Sequence, residues 1–269
     1  MQSFFINYKA SRIHYQKAGR GARVLFCFHG YGESVESFAF LQDSLETLFT
    51  ILAIDMPFHG QTEWKEGLQF EPATLVGIME QICLEQSVPP AKIQVLGYSM
   101  GGRIALSLLE LIPEKMERLL LIAPDGLDNS RWYNVATQYN VGNKLFKYTM
   151  QHPGWFLGLM RIAHGFRLVN QSIHKFAISH ISDRQVRTDL YRRWTTMRHF
   201  HPAVKTIRSQ IASRKIPVEL LYGRYDRMIR HETGAAFIKG IEPTCQLTIL
   251  PSGHQLLQPK NLDLIISLL

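Results

Sequence analysis

Apolar residues along this chain fall into two patterns: short, nearly continuous runs, and longer stretches in which they recur every three or four positions. Val24-Leu25-Phe26-Cys27-Phe28, Ile51-Leu52-Ala53-Ile54 and Ile93-Gln94-Val95-Leu96 are runs of the first kind, which suit strands buried on both faces. Residues 3–9 and 12–16 read as a hairpin ahead of them, and residues 118–123, 218–222 and 246–250 as three further strands. The second pattern separates these strands. Phe38, Leu41, Leu45 and Leu48 keep helical spacing, and residues 72–85, 103–111, 231–239 and 262–268 read as helices. Alternation of this sort predicts an α/β fold, a mostly parallel sheet with helices on both faces.

The alternation lapses between the strands at 118–123 and 218–222, where about eighty residues contain no convincing strand. Apolar side chains recur there at helical spacing as Trp155, Leu159, Ile162 and Phe166, as Ile173, Phe176 and Ile178, and as Leu190, Trp194 and Met197, with breaks at Pro153-Gly154 and around Asn170. Four helices are expected, packed over the sheet as a cap. The domain reading is a core of residues 1–126 and 205–269 with a cap of residues 127–204.

Charge sharpens the contrast between the two parts. The net charge of +8 is concentrated in residues 131–210, which hold 13 Lys/Arg against Asp183 and Asp189, a balance of +11, while the remainder carries 17 Lys/Arg and 20 Asp/Glu, or −3. Localised charge of that size bears on partners, and predicts attraction of anionic substrates or, less favoured, peripheral contact with an anionic membrane. No nucleic-acid-binding module is visible, so nucleic acid is not expected as a partner. Cys27, Cys83 and Cys245 lie in apolar surroundings without metal-ligand spacing, which predicts buried free thiols, no metal and no cofactor. With no leader pattern and no long apolar segment, the chain is expected to be soluble and cytoplasmic. Its oligomeric state is not legible.

The sharpest chemical signal is Gly97-Tyr98-Ser99-Met100-Gly101, set between the run ending at Leu96 and the helical stretch from Arg103. A strand-to-helix turn of this kind holds a serine exposed and strained, and its glycines let strand and helix pass closely. A serine hydroxyl is a weak nucleophile until an imidazole takes its proton. His254, after the strand ending at Leu250, is the candidate base, and Asp226, after the strand at 218–222, is the candidate acid that orients it. Asp125 in Ala123-Pro124-Asp125-Gly126 is a competing acid.

With these go His29-Gly30-Tyr31-Gly32, Asp55-Met56-Pro57-Phe58-His59-Gly60, Gly223-Arg224-Tyr225-Asp226 and Ser252-Gly253-His254, and in that order the motifs resemble the α/β-hydrolase superfamily over essentially the whole chain. The resemblance implies a sheet of about eight strands with a helical cap after the sixth. It also implies an oxyanion hole from the backbone N–H groups of Met100 and Tyr31, with His29 and His59 bracing their loops. The stretch from Gly97 to Arg103 is similar to the menaquinone-pathway synthase of the superfamily, in which that arginine holds a substrate carboxylate and the triad drives elimination of pyruvate. The leading expectation is a serine hydrolase acting on a small carboxylic ester or related acyl bond through an acyl-enzyme. Its alternatives are a lyase using Arg103 as substrate-binding residue, a lipid-surface esterase and a non-enzymatic small-molecule receptor.

Overall fold

A computed structural model describes residues 1–88, 92–128, 131–165 and 181–269. Eight strands form one sheet: β1 (Gln2–Tyr8), β2 (Ser11–Ala18), β3 (Arg23–Phe28), β4 (Phe49–Ile54), β5 (Ile93–Tyr98), β6 (Met116–Ile122), β7 (Val218–Gly223) and β8 (Cys245–Leu250). Their spatial order is β1-β2-β4-β3-β5-β6-β7-β8, antiparallel for β1 with β2 and β2 with β4 and parallel from there on. Burial explains the nearly continuous apolar runs. Every residue of β4 and β5 is buried, whereas the edge strands β1 and β8 are mixed.

The expected helix through Phe38, Leu41, Leu45 and Leu48 is instead a 3-10 turn, Val35–Leu41, running into the single α-turn α1 (Gln42–Leu45). Phe38, Leu41 and Leu45 are fully buried, while Leu48 lies beyond the helix and is 55% exposed. Tight 3-10 winding repeats its side chains every three residues, and the chain then turns into β4 before Leu48 can rejoin that face. Helix α2 (Pro72–Glu85) starts with proline in its first turn, where a missing N–H costs nothing. Helix α3 (Met100–Leu111) begins three residues before the spacing predicts, because Gly101 and Gly102 carry no side chain to mark its first turn.

After β6 come α4 (Arg131–Thr137), α5 (Asn140–Gln151), α6 (Gly154–Gly165) and α7 (Arg184–Thr196), then α8 (Val204–Arg214), α9 (His231–Ile238) and α10 (Leu262–Leu268). Spacing had not singled out α4, α5 or α8. Residues 1–128 and 199–269 form one compact unit and residues 129–198 a second, helical one. Inside the second, the Phe146 ring of α5 packs on Tyr191 and Trp194 of α7, and Tyr133 of α4 packs on Trp194. The helix expected at Ile173, Phe176 and Ile178 lies outside the described residues, as do Phe166, Arg167, His174, Lys175 and His180. Cys27, Cys83 and Cys245 are free and buried. Burial pushes all three thiols up, Cys83 to about 11 and Cys245 to about 12, which leaves them as unreactive packing groups.

One buried polar knot anchors the loops at the strands' C-terminal ends. The Asp55 carboxylate, just past β4, accepts from the Val35 N–H at 2.8 Å, the Gln61 N–H at 2.8 Å and His14 Nδ1 at 2.6 Å. A Cβ on Gly60, whose φ is +50°, would stand 1.8 Å from Asp55 Oδ2, so the turn closes on the carboxylate only with glycine there. Burial pushes the Asp55 carboxyl up, but the hydrogen bonds from His14, Gln61 and Val35 and the nearby His29 outweigh it and the net direction is down. Asp55→Ala is expected to destabilise the fold by about 3 kcal/mol in urea titration, because it orphans the buried Val35 N–H and a buried imidazole and frees the part-buried Gln61 N–H. With its folded value depressed, Asp55 lends stability fully above about pH 3.9, its unfolded value, and loses it as pH falls through the lower folded one. The acid limb of the stability profile is therefore expected to flatten in the variant.

Candidate active site

The parallel register aligns the C-terminal ends of the central strands, Phe28 beside Gly97, Tyr98 beside Ile122 and Gly223 beside Leu250, so the loops that follow share one edge of the sheet. Ser99 sits between β5 and α3 with φ 52° and ψ −114°, a region that non-glycine residues seldom occupy. Three backbone bonds hold it there: its N–H donates to the Ile122 carbonyl, and its own carbonyl accepts from the Gly102 and Asp125 N–H groups, each at 2.9 Å. The flanking glycines are required by contact. A Cβ on Gly97 would lie 2.4 Å from the Gly101 carbonyl oxygen, and one on Gly101 would lie 1.9 Å from that of Phe28.

His254 reaches this turn from the loop after β8. Its Nε2 is 3.1 Å from Ser99 Oγ and its Nδ1 is 2.6 Å from Asp226 Oδ2. Asp226 is fully buried at its side chain and the imidazole 15% exposed. The second carboxylate oxygen, Oδ1, accepts from the Met228 and Ile229 N–H groups at 2.8 and 3.0 Å, which fixes the plane of the carboxylate. The loop carrying His254 is tied to the loop carrying Asp226 by Tyr225 N–H on the Ser252 carbonyl and Arg224 N–H on that of Leu250. Tyr98, which the spacing did not single out although it stands within the serine motif, packs its buried ring 5.5 Å from the His254 ring and donates its hydroxyl to the His254 carbonyl at 3.3 Å. Burial pushes the Tyr98 phenol up, with Glu33 and Asp226 adding to the effect, so it stays protonated as a donor.

Met100 opens α3, where the first N–H groups have no intrahelical acceptor and the helix dipole is positive. Tyr31 follows Gly30 in the loop after β3, beside the serine turn, with its ring 6.0 Å edge-on from that of His59. His29, fully buried, donates from Nδ1 to the Gly30 carbonyl and accepts the Met56 N–H on Nε2, so it braces the loop on which Tyr31 rides.

Arg103, the candidate substrate-binding residue, lies near the start of α3. Its side chain is 3% exposed and engaged by a carboxylate, with Nε and Nη2 each donating to Asp125 at 2.9 Å. Asp125, the competing acid, is thereby paired with Arg103, while Asp226 is the carboxylate on His254. Among the described residues, no group of three or more His, Cys, Asp or Glu side chains could hold a metal ion, and no helix is long and apolar enough to cross a membrane.

A family model described as alpha/beta hydrolase fold matches residues 23–178. An uncharacterized hydrolase, YugF, from Bacillus subtilis is 24% identical over 260 residues, 94% of this chain and 90% of its own length. A 2-hydroxy-6-oxononadienedioate/2-hydroxy-6-oxononatrienedioate hydrolase from Cupriavidus pinatubonensis is 23% identical over 256 residues, 88% of this chain and 82% of that protein. Among solved structures, a thermophilic esterase from Thermogutta terrifontis superposes with a TM-score of 0.67 at 17% identity, covering 99% of this chain and 97% of the esterase, a likeness of fold. Matched over more than half of its length by the family model, and carrying the serine turn on the sheet so matched, the chain belongs to the alpha/beta hydrolase fold family.

Proposed function

We propose that the protein is a serine hydrolase that cleaves a small carboxylic ester or related acyl bond by way of an acyl-enzyme. The observation that carries this reading is the continuous relay from Ser99 Oγ through His254 to Asp226, with both links at hydrogen-bond length and the serine on a strained turn at the C-terminal edge of the sheet. In the first half-reaction Ser99 Oγ bonds to the acyl carbon as His254 Nε2 takes its proton, and the negative charge gathers on the former carbonyl oxygen. The Met100 and Tyr31 N–H groups are the donors for that oxygen. Collapse breaks the bond to the leaving alkoxide, which receives the proton from His254. Water then repeats the sequence and frees the acid, with Asp226 stabilising the imidazolium each time.

Of the alternatives, the lyase reading asks Arg103 to hold a substrate carboxylate, and the bidentate pair with Asp125 weighs against it. Arg103 acts better as a strap on the nucleophile's turn, since Asp125 also donates its N–H to the Ser99 carbonyl. Arg103→Met is therefore expected to lower kcat on neutral and anionic esters alike, by about tenfold, through loss of alignment. A rise in KM confined to carboxylate-bearing substrates would favour the lyase-type role. The reading as a whole is tested by reaction with a fluorophosphonate, with peptide mapping of the adduct, beside a p-nitrophenyl ester series from acetate to long chains. An adduct on Ser99 with turnover of some ester is expected. An adduct elsewhere, or none on a folded sample, would sink it.

A further inference from the structure

The helical unit keeps much of its apolar surface outside its own packing. In α5, Phe146, Thr149 and Met150 face inward, toward α7, yet Val141, Leu145 and Tyr148 on the other side are 80%, 54% and 52% exposed. In α6, Gly-Trp-Phe-Leu-Gly-Leu-Met-Arg-Ile-Ala-His-Gly, no residue is buried, and Trp155, Leu159 and Ile162 are 44%, 54% and 60% exposed. Each set falls at i, i+4 and i+7, a single stripe along its helix. Exposed cations flank both stripes, Lys144 and Lys147 on α5 and Arg161 on α6. The surrounding chain is one-sided in charge, for residues 131–182 include Arg131, Lys144, Lys147, Arg161, Arg167 and Lys175 and not one Asp or Glu.

We infer that α5 and α6 form a docking surface for an anionic lipid bilayer, lying in the plane of the interface with their stripes in the acyl boundary and their lysines and arginine at the headgroup phosphates. Three observations favour that occupant. Two consecutive helices repeat one arrangement, an apolar stripe with a cationic flank, which is what an interfacial helix needs. The exposed residues include Tyr148 and Trp155, whose amphipathic rings suit the boundary between headgroup and acyl chain. Neither α5 nor α6 carries a carboxylate, so the two helices meet an anionic surface without a repulsive side chain of their own, whereas a contact between two copies of the same face would set cation against cation. The inference is independent of the catalytic reading and is tested without turnover.

The experiment is sedimentation of the full chain with sucrose-loaded phosphatidylcholine vesicles, with and without phosphatidylglycerol at about a quarter of the lipid, at low and high salt. Salt-sensitive pelleting with the anionic vesicles alone is expected. The combined change Lys144→Ala, Lys147→Ala and Arg161→Ala should weaken it by about 100-fold, and Leu145→Glu with Leu159→Glu should abolish it at every salt concentration. These positions are exposed, so both variants should keep the wild-type Tm. Bromolipid should quench the tryptophan emission of the wild type, and Trp155→Phe should remove most of that quenching. Absence of pelleting, equal pelleting with neutral vesicles, or unchanged binding by both variants would overturn the proposal. So would a dimer in light scattering that Leu145→Glu and Leu159→Glu dissociate while vesicles leave the protein in the supernatant.

Discussion

Replacing Ser99 by alanine is expected to lower kcat on any ester the wild type cleaves by about 10⁵-fold to 10⁶-fold, to the rate of the oxyanion donors acting alone. The proposed step has no substitute for Oγ, since His254 Nε2 would then face a methyl group and could at best direct a water. The fold should be indifferent. Alanine meets the same penalty at φ 52° as serine does, the backbone bonds to Ile122, Gly102 and Asp125 remain, and the half-buried hydroxyl leaves no sizeable cavity. Wild-type Tm together with lost turnover and lost fluorophosphonate labelling is the expected pattern. Turnover within tenfold of wild type on every ester would remove Ser99 from the mechanism.

The second large effect is expected at Asp226→Asn, about 10⁴-fold in kcat with little change in KM or in stability. The two oxygens of this carboxylate do different work. Oδ1 accepts from the N–H groups of Met228 and Ile229, so in the variant the amide oxygen must take that place and the NH₂ must face His254 Nδ1. An amide that donates to Nδ1 leaves the imidazole proton on Nε2, the nitrogen that has to accept from Ser99. The base is thereby blocked while its geometry survives. Steady-state kinetics of Asp226→Asn beside Asp125→Asn separate the two acids: the former should lose most activity on every ester and the latter only what the Arg103 strap supplies. Near-normal rates in Asp226→Asn with collapse in Asp125→Asn would reverse the assignment.

Much of the sheet is legible in the chain because burial on both faces selects largely apolar runs, and β3, β4 and β5 are such runs, with Thr50 and Gln94 as their buried polar exceptions. Helix α2 is equally legible, from Pro72 at its start and the buried positions Leu75, Ile78, Met79 and Ile82. The helical unit reads poorly. In α5 two apolar sets share one helix, one packed and one exposed, which blurs the single stripe that spacing looks for. Helix α8 buries only Ile207 and Ile211 and carries too weak a pattern to stand out.

The serine turn could be found without any coordinates, because close approach of β5, α3 and β3 leaves glycine as the only side chain that fits at positions 97 and 101, and glycine is visible in a sequence. The motif Gly223-Arg224-Tyr225-Asp226 favours Asp226 over Asp125 as the acid, but which side chain each carboxylate touches is not written in the chain. Arg103 and Asp125 are 22 residues apart, Asp226 and His254 are 28 apart, and Ser99 and His254 are 155 apart. By itself, then, the sequence determined which segments are strands, where the chain must turn without a side chain, and which residue types could act together. Tertiary structure alone decided that Asp226 meets His254 while Asp125 is held by Arg103. Side-chain pairing at one sheet edge follows the spatial order of the strands, and that order arises from packing the whole chain, so no local pattern encodes it.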